Sequence, residues 1–169
     1  MDYYQTQAMF QWDMAHGRAQ RLKWIASLRR KNIELPDFNR VTNSLHLHTA
    51  IYRGIHVIQL EKIIGSVGRF HDFVDGFLPV SSELSSRWQS LAALTINPSS
   101  GGLPPIDVFK VGEVYFVSDG NHRVSVANQL DIPDIEARVW EYEVAQHVTA
   151  LERGVCINGE QSFRVMCVN

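Results

Sequence analysis

Along the first thirty positions apolar residues recur at helical spacing. Ala8, Trp12, Ala15, Ala19, Leu22 and Ala26 fall four and three apart, which puts them on one stripe of a helix over residues 8–28. Met14, Ile25 and Leu28 widen the apolar surface beyond that stripe, so the helix must pack on something. Gly17 weakens its middle by about 1 kcal/mol relative to alanine, which predicts a bend or a division into two helices. Leu35-Pro36-Asp37 then punctuates the chain, and residues 38–49 carry no clear period. Residues 56–64 have strand character and run into a glycine-bearing loop, Gly65-Ser66-Val67-Gly68-Arg69. Over residues 81–94, Leu84, Trp88, Leu91 and either Ala92 or Leu94 share one helical face, with Ser81 or Ser82 as cap. A flexible connector at 97–102 leads to a strand at 106–109, a turn at 110–113 and a strand at 114–117. A helix follows over about 121–130, ended by Asp131-Ile132-Pro133-Asp134, and residues 135–142 alternate as a strand. Beyond Val144 the pattern predicts a short helix and a hairpin at Asn158-Gly159.

A chain of 169 residues accommodates one domain with an appendage. No uninterrupted apolar run approaches the ~20 residues needed to cross a bilayer, and the Met1-Asp2-Tyr3-Tyr4-Gln5 start has no signal-peptide character, so the expected location is cytoplasmic. Cys156 and Cys167 lie outside any Cys-x-x-Cys or Cys-His cluster, which predicts reduced thiols and no structural zinc. His46 and His48 alternate as strand neighbours would but have no third ligand at suitable spacing, so no metal site is expected.

Charge is near balance overall, at −2, but unevenly placed. Arg18, Arg21, Lys23, Arg29, Arg30 and Lys31 follow one another with no acid between them, whereas residues 131–143 carry five acids against Arg138 alone. A cationic run of this kind is usually a solvated face. As a functional candidate, Arg29, Arg30 and Lys31 can grip nucleic-acid phosphates without sequence readout, with Trp24 stacking on a base. The wide apolar surface of the same arm makes a homodimer through it a second expectation.

The richest chemistry lies where the strand Val114-Tyr115-Phe116-Val117 breaks at Asp119-Gly120 and continues as a helix through Asn121-His122-Arg123. The first amides of a helix have no intrahelical acceptor, and the helix dipole adds partial positive charge there, so a phosphate can sit on that end. Arg123 offers a guanidinium for bidentate contact, and His122 a group that donates or exchanges a proton near neutral pH. The structural alternatives are plain: Asp119 as helix cap, Gly120 as turn residue, Arg123 as surface cation, His122 bonded to a backbone carbonyl.

This segment resembles the signature of the ParB/sulfiredoxin superfamily, which sets a short glycine-containing, arginine-ending motif between a hairpin strand and a helix. The resemblance extends from Pro104-Pro105-Ile106-Asp107-Val108-Phe109-Lys110-Val111-Gly112 through the turn to Val124-Ser125-Val126-Ala127-Asn128-Gln129-Leu130 and Ile135-Glu136-Ala137-Arg138-Val139. His56-Val57-Ile58-Gln59-Leu60-Glu61-Lys62-Ile63 is similar to the opening strand of such domains. The resemblance implies an α/β (α+β) fold: a small mixed sheet with flanking helices. It divides the chain into an N-terminal helical arm (1–50), a ParB/sulfiredoxin-like domain (51–143) and a C-terminal extension (144–169).

The turn is most similar to the Asp-Gly-x-His-Arg version found in free serine kinases. That implies a nucleotide such as ATP, ADP or CTP, or another phosphorylated ligand, held by Gly120, Asn121, His122 and Arg123, with Asp119 capping the helix or helping to hold Mg2+. Ser66 and Arg69 of the glycine-bearing loop are second candidates for the anion, although Arg69 has Asp72 and Asp75 as local salt-bridge partners. If the protein transfers phosphoryl groups or hydrolyses a nucleotide, Glu61 is the nominated carboxylate, beside Asp119 and His122 in the chemistry. The competing readings are a non-catalytic DNA-associated regulator and a ParB-like nuclease. No cysteine stands in the turn where sulfiredoxins carry their reactive one, which argues against sulfiredoxin-type chemistry.

Overall fold

The computed structural model describes residues 2–69, 71–143, 155–157 and 160–162. Its centre is a mixed five-stranded sheet in the order β1-β7-β5-β6-β2. Those strands are β1 (Ala50–Gln59), β2 (Ile63–Ser66), β5 (Ile106–Val111), β6 (Val114–Asp119) and β7 (Asp134–Tyr142). Pairing is antiparallel for β1 with β7 and β5 with β6, and parallel for β5 with β7 and β2 with β6. The fold is α+β, as the sequence implies.

The helices are α1 (Tyr3–Arg29), α2 (Phe38–Leu45), α3 (Ser85–Ile96) and α4 (Asn121–Gln129). They cover the sheet unequally. On one face Ile58, Ile106, Val108, Val117, Ala137 and Val139 meet α4 and α3, and the same core takes in Ala8, Trp12 and Ala15 of α1. On the other face α2 places Phe38 and Val41 against Ile64, Val111, Val114 and Phe116. A short ribbon, β3 (Phe73–Val74) with β4 (Leu78–Pro79), connects β2 to α3.

Several expectations hold element by element. The apolar stripe of α1 is buried at Ala8, Trp12, Ala15, Ala19 and Ala26. Trp12 meets Trp88 of α3 edge-on, at 5.6 Å between ring centroids. Ser81 caps the turn before α3 by accepting the Glu83 amide. The β5–β6 hairpin, α4 and β7 fall within a few residues of their expected places.

Others need correction. α1 is one continuous helix, because packing along its buried stripe outweighs the small local cost of Gly17. The run at 56–64 is not one strand: it turns at Leu60–Lys62, where the Leu60 amide donates to the Pro133 carbonyl, and restarts as β2 beside a different neighbour. Gly65 and Ser66 belong to β2 rather than to a loop. His46 ends α2 in a left-handed conformation, so His46 and His48 are not strand neighbours, and the described residues contain no metal-binding cluster. Residues 38–45 form α2, capped by the Asp37 carboxylate on the Asn39 amide. Past Tyr142, β8 (Val155–Ile157) pairs antiparallel with β9 (Glu160–Ser162), flanking the expected Asn158-Gly159 turn; that turn, Cys167 and residues 144–154 lie outside the described residues.

Candidate functional site at the start of α4

The parallel pairing of β2 with β6 makes both strands end at the same edge of the sheet, with Ser66 opposite Val117. The segment after β2 and the start of α4 therefore emerge side by side, at the carboxyl ends of parallel strands where open sheets usually bind ligands. Gly120 makes the turn into α4 with φ 109°, and a Cβ there would collide with Ile106. As the residue before the helix it offers no side-chain cap, so the amides of Asn121, His122 and Arg123 meet no capping side chain.

Two buried polar atoms at this end have no partner among the described residues: Asn121 Oδ1 and His122 Nδ1. Asn121 is 5% exposed and His122 8%. The imidazole stands edge-on to the ring of Phe73 at 5.4 Å. Burial first, then the positive charges of Arg87 and Arg69, lower its pKa from 6.5 to about 4, with Asp72 acting in the opposite direction. His122 is thus a neutral imidazole at physiological pH, able to donate from one nitrogen and accept at the other. Buried polar atoms without partners are uncommon in folded proteins and expensive to leave so.

The guanidinium of Arg123 is differently employed. It donates to the carbonyls of Pro104 (2.6 Å) and Pro105 (2.8 Å) and pairs with the carboxylate of Asp119. Its side chain is 11% exposed. Arg123 is therefore a strap tying the start of α4 to the segment before β5, and not an open phosphate clamp. The same pairing takes Asp119 away from the helix-capping role, since its carboxylate faces Arg123 instead of the α4 amides.

Of the loop candidates, Ser66 is fully buried: its hydroxyl donates to the Val117 carbonyl (3.3 Å) and its amide to the Pro36 carbonyl (3.1 Å). The Val67 amide donates to the Val117 carbonyl as well (2.9 Å), so the Ser66 and Val67 amides are committed to neighbouring carbonyls and not to an anion. Gly65 is required by packing, because a Cβ would collide with the Pro36 carbonyl oxygen and the Phe116 ring. Arg69 remains at the site, paired with Asp72 at 2.9 Å and exposed.

Arg87 is a residue that sequence reasoning missed. It is exposed in the first turn of α3 and makes no ion pair with a described residue, yet its charge reaches His122. The buried bond from Trp88 Nε1 to Ser125 Oγ (2.9 Å) locks α3 against α4 and so fixes where Arg87 stands. Helical periodicity marks Arg87 only as solvent-facing; which helix it looks across to is a tertiary fact.

Glu61 is not brought to this site. It lines a cavity of about 650 Å3 together with Gln129, Asp131 and Pro133, beyond the opposite end of α4. Eight residues of helix separate Asn121 from Gln129, about 12 Å along the axis. Arg30 and Lys31 border a separate hollow of about 420 Å3 between the end of α1 and β3. Arg29 is the last residue of α1. No helix among the described residues is long and apolar enough to cross a membrane.

No protein-family model matches this chain, and no curated protein matches it either. Among solved structures it is similar to the crystal structure of sulfiredoxin from Arabidopsis thaliana, with 24% identity over 50% of this chain and 82% of that one and a TM-score of 0.37.

Proposed function

We propose that this protein binds a phosphorylated small molecule, a nucleotide being the first candidate, with a phosphate seated on the first turn of α4. The amides of Asn121, His122 and Arg123 supply hydrogen-bond donors backed by the helix dipole. Arg69 and Arg87 supply the charge, and the neutral imidazole of His122 donates one further hydrogen bond. Arg123 holds the turn in shape from behind. The observation that carries this reading is the buried, unpartnered Nδ1 of His122, set at a helix start with no side-chain cap and within the electrostatic reach of Arg87 and Arg69. The similarity of Asp119-Gly120-Asn121-His122-Arg123 to the superfamily's motif points to the same end of the same helix.

The reading is of binding, not of turnover. Asp72 and Asp119, the carboxylates at this end, each face an arginine, and Glu61 stands a helix length away. Mg2+ would enter with a nucleotide's own phosphates; the carboxylates here favour charge pairing over metal ligation.

Thermal stabilisation across inorganic phosphate, pyrophosphate, ATP, ADP and CTP, with and without Mg2+, tests the proposal, since a ligand at a hundred times its Kd stabilises by about 2.7 kcal/mol. At least one phosphorylated ligand should raise the melting temperature. Arg87→Gln should weaken its binding about tenfold or more, the scale of a lost charge-assisted contact. Absence of stabilisation by every ligand in the set, or full affinity in both Arg69→Gln and Arg87→Gln, would refute the site.

A further inference from the structure

The outward side of α1 carries a second apolar stripe that the domain does not use. Tyr3, Phe10, Met14, Gly17, Arg21, Trp24 and Leu28 succeed one another at intervals of seven, four, three, four, three and four. This is the spacing of a coiled-coil seam. Tyr3 is 66% exposed, Phe10 59%, Met14 44%, Trp24 67% and Leu28 66%. The buried stripe of Ala8, Trp12, Ala15, Ala19 and Ala26 lies on the opposite side of the same helix. A 27-residue helix is about 40 Å long, so the exposed stripe runs much of the length of the molecule. A monomer surface tolerates single apolar residues, but five large ones in register form the kind of patch that marks an interface.

We propose that two copies of this chain pair antiparallel through this face of α1. A second copy is the occupant because the stripe is suited to itself: large apolar side chains stand on either side of a centre formed by Gly17 and Arg21, whose guanidinium lies beside Gly17, so each copy offers two apolar ends about one central cation. Charge sets the direction. The acids of α1, Asp2 at its cap and Asp13, lie toward its start, and Arg18, Arg21, Lys23 and Arg29 lie in its second part. Arg21 is itself on the stripe. In a parallel pair it would face its own copy across the seam and set the two cationic ends side by side. Reversal separates those ends, brings each toward the other copy's acidic half, and seats Arg21 opposite small or aromatic neighbours such as Gly17 or Phe10. The two helix dipoles also oppose one another favourably in this arrangement.

Sedimentation velocity of the full chain over a concentration series tests the pairing. The expected result is a monomer–dimer equilibrium that Phe10→Glu with Leu28→Glu shifts toward monomer by tenfold or more in Kd. Both side chains are exposed, so the double variant should keep its helical circular dichroism and a cooperative melt, with the melting temperature losing its dependence on concentration; Trp24→Lys is a second, independent probe. Spin labels on Thr6→Cys, an exposed position flanking the seam, with Cys156 and Cys167 replaced by serine, report direction. Antiparallel pairing puts them about 30 Å apart, against a separation near the interhelix spacing of about 10 Å for parallel pairing. A chain that stays monomeric throughout, a dimer indifferent to these substitutions, a short label separation, or a monomer that instead sediments with anionic phospholipid vesicles would each overturn the proposal.

Discussion

Lowering the pH probes the surroundings of His122 directly. Burial, Arg87 and Arg69 together hold its pKa at about 4, against an ordinary 6.5. In the unfolded chain the imidazole takes up its proton as the pH falls through about 6.5, while the folded protein refuses that proton until about 4. Between those values the unfolded state binds more protons, so stability falls as the pH falls. Above about pH 7 both states are neutral at this residue and nothing is lost. A tenfold difference in proton affinity between the two states is worth about 1.4 kcal/mol, so the loss reaches about 3 kcal/mol at pH 4 and has a ceiling of about 3.5 kcal/mol below it. At about pH 4.5 it amounts to about 2.5 kcal/mol.

Urea unfolding of the wild type and of His122→Gln at neutral pH and at about pH 4.5 isolates this contribution, because the carboxylates titrate alike in both proteins. The stability difference between them should move in favour of the variant by about 2.5 kcal/mol on acidification. An NMR titration of the imidazole gives the folded pKa independently, and on the proposed binding of phosphate at this helix start, inorganic phosphate should raise it by offsetting the charge of Arg69 and Arg87. An imidazole that titrates near 6.5 in the folded protein would refute the placement of His122, as would equal pH slopes for the two proteins.

Two further outcomes follow from the packing around the turn. Arg123→Ala removes bonds to the Pro104 and Pro105 carbonyls and to Asp119, and should cost about 2–4 kcal/mol of stability in urea unfolding; for ligand affinity it should matter less than Arg87→Gln, and the reverse order would restore Arg123 as the phosphate clamp. Gly65→Ala places a methyl group against the Pro36 carbonyl and Phe116 and should destabilise by about 1–3 kcal/mol, where a silent substitution would show that β2 can shift.

Much of the architecture was legible because it depends on signals only a few residues apart. The β5–β6 hairpin is marked by two short apolar runs around Gly112, α4 by the glycine that opens it and the Asp131-Ile132-Pro133 segment that stops it, and the buried stripe of α1 by its own spacing. The break at residues 60–62 was not legible, because an apolar run reads the same whether it continues beside one neighbour or turns to join another. Likewise Gly65 looks like any loop glycine until Pro36 and Phe116 are placed against it.

The same division runs through the site. From its order of residues alone the chain determines that a helix start follows a strand, and that asparagine, histidine and arginine stand in its first turn; that Asp119 turns to Arg123 and leaves the start without a side-chain cap is a tertiary fact. How each of them is engaged is decided in three dimensions. The carbonyls that occupy Arg123 come from residues 104 and 105, and the charges around His122 come from β2's exit and from α3. Glu61, nominated by its sequence position, is carried to the far end of α4 by the turn that follows β1. Local backbone preferences act over a few bonds, whereas burial and charge act through space, so the helix start was written in the sequence but the charges around it were chosen by the fold.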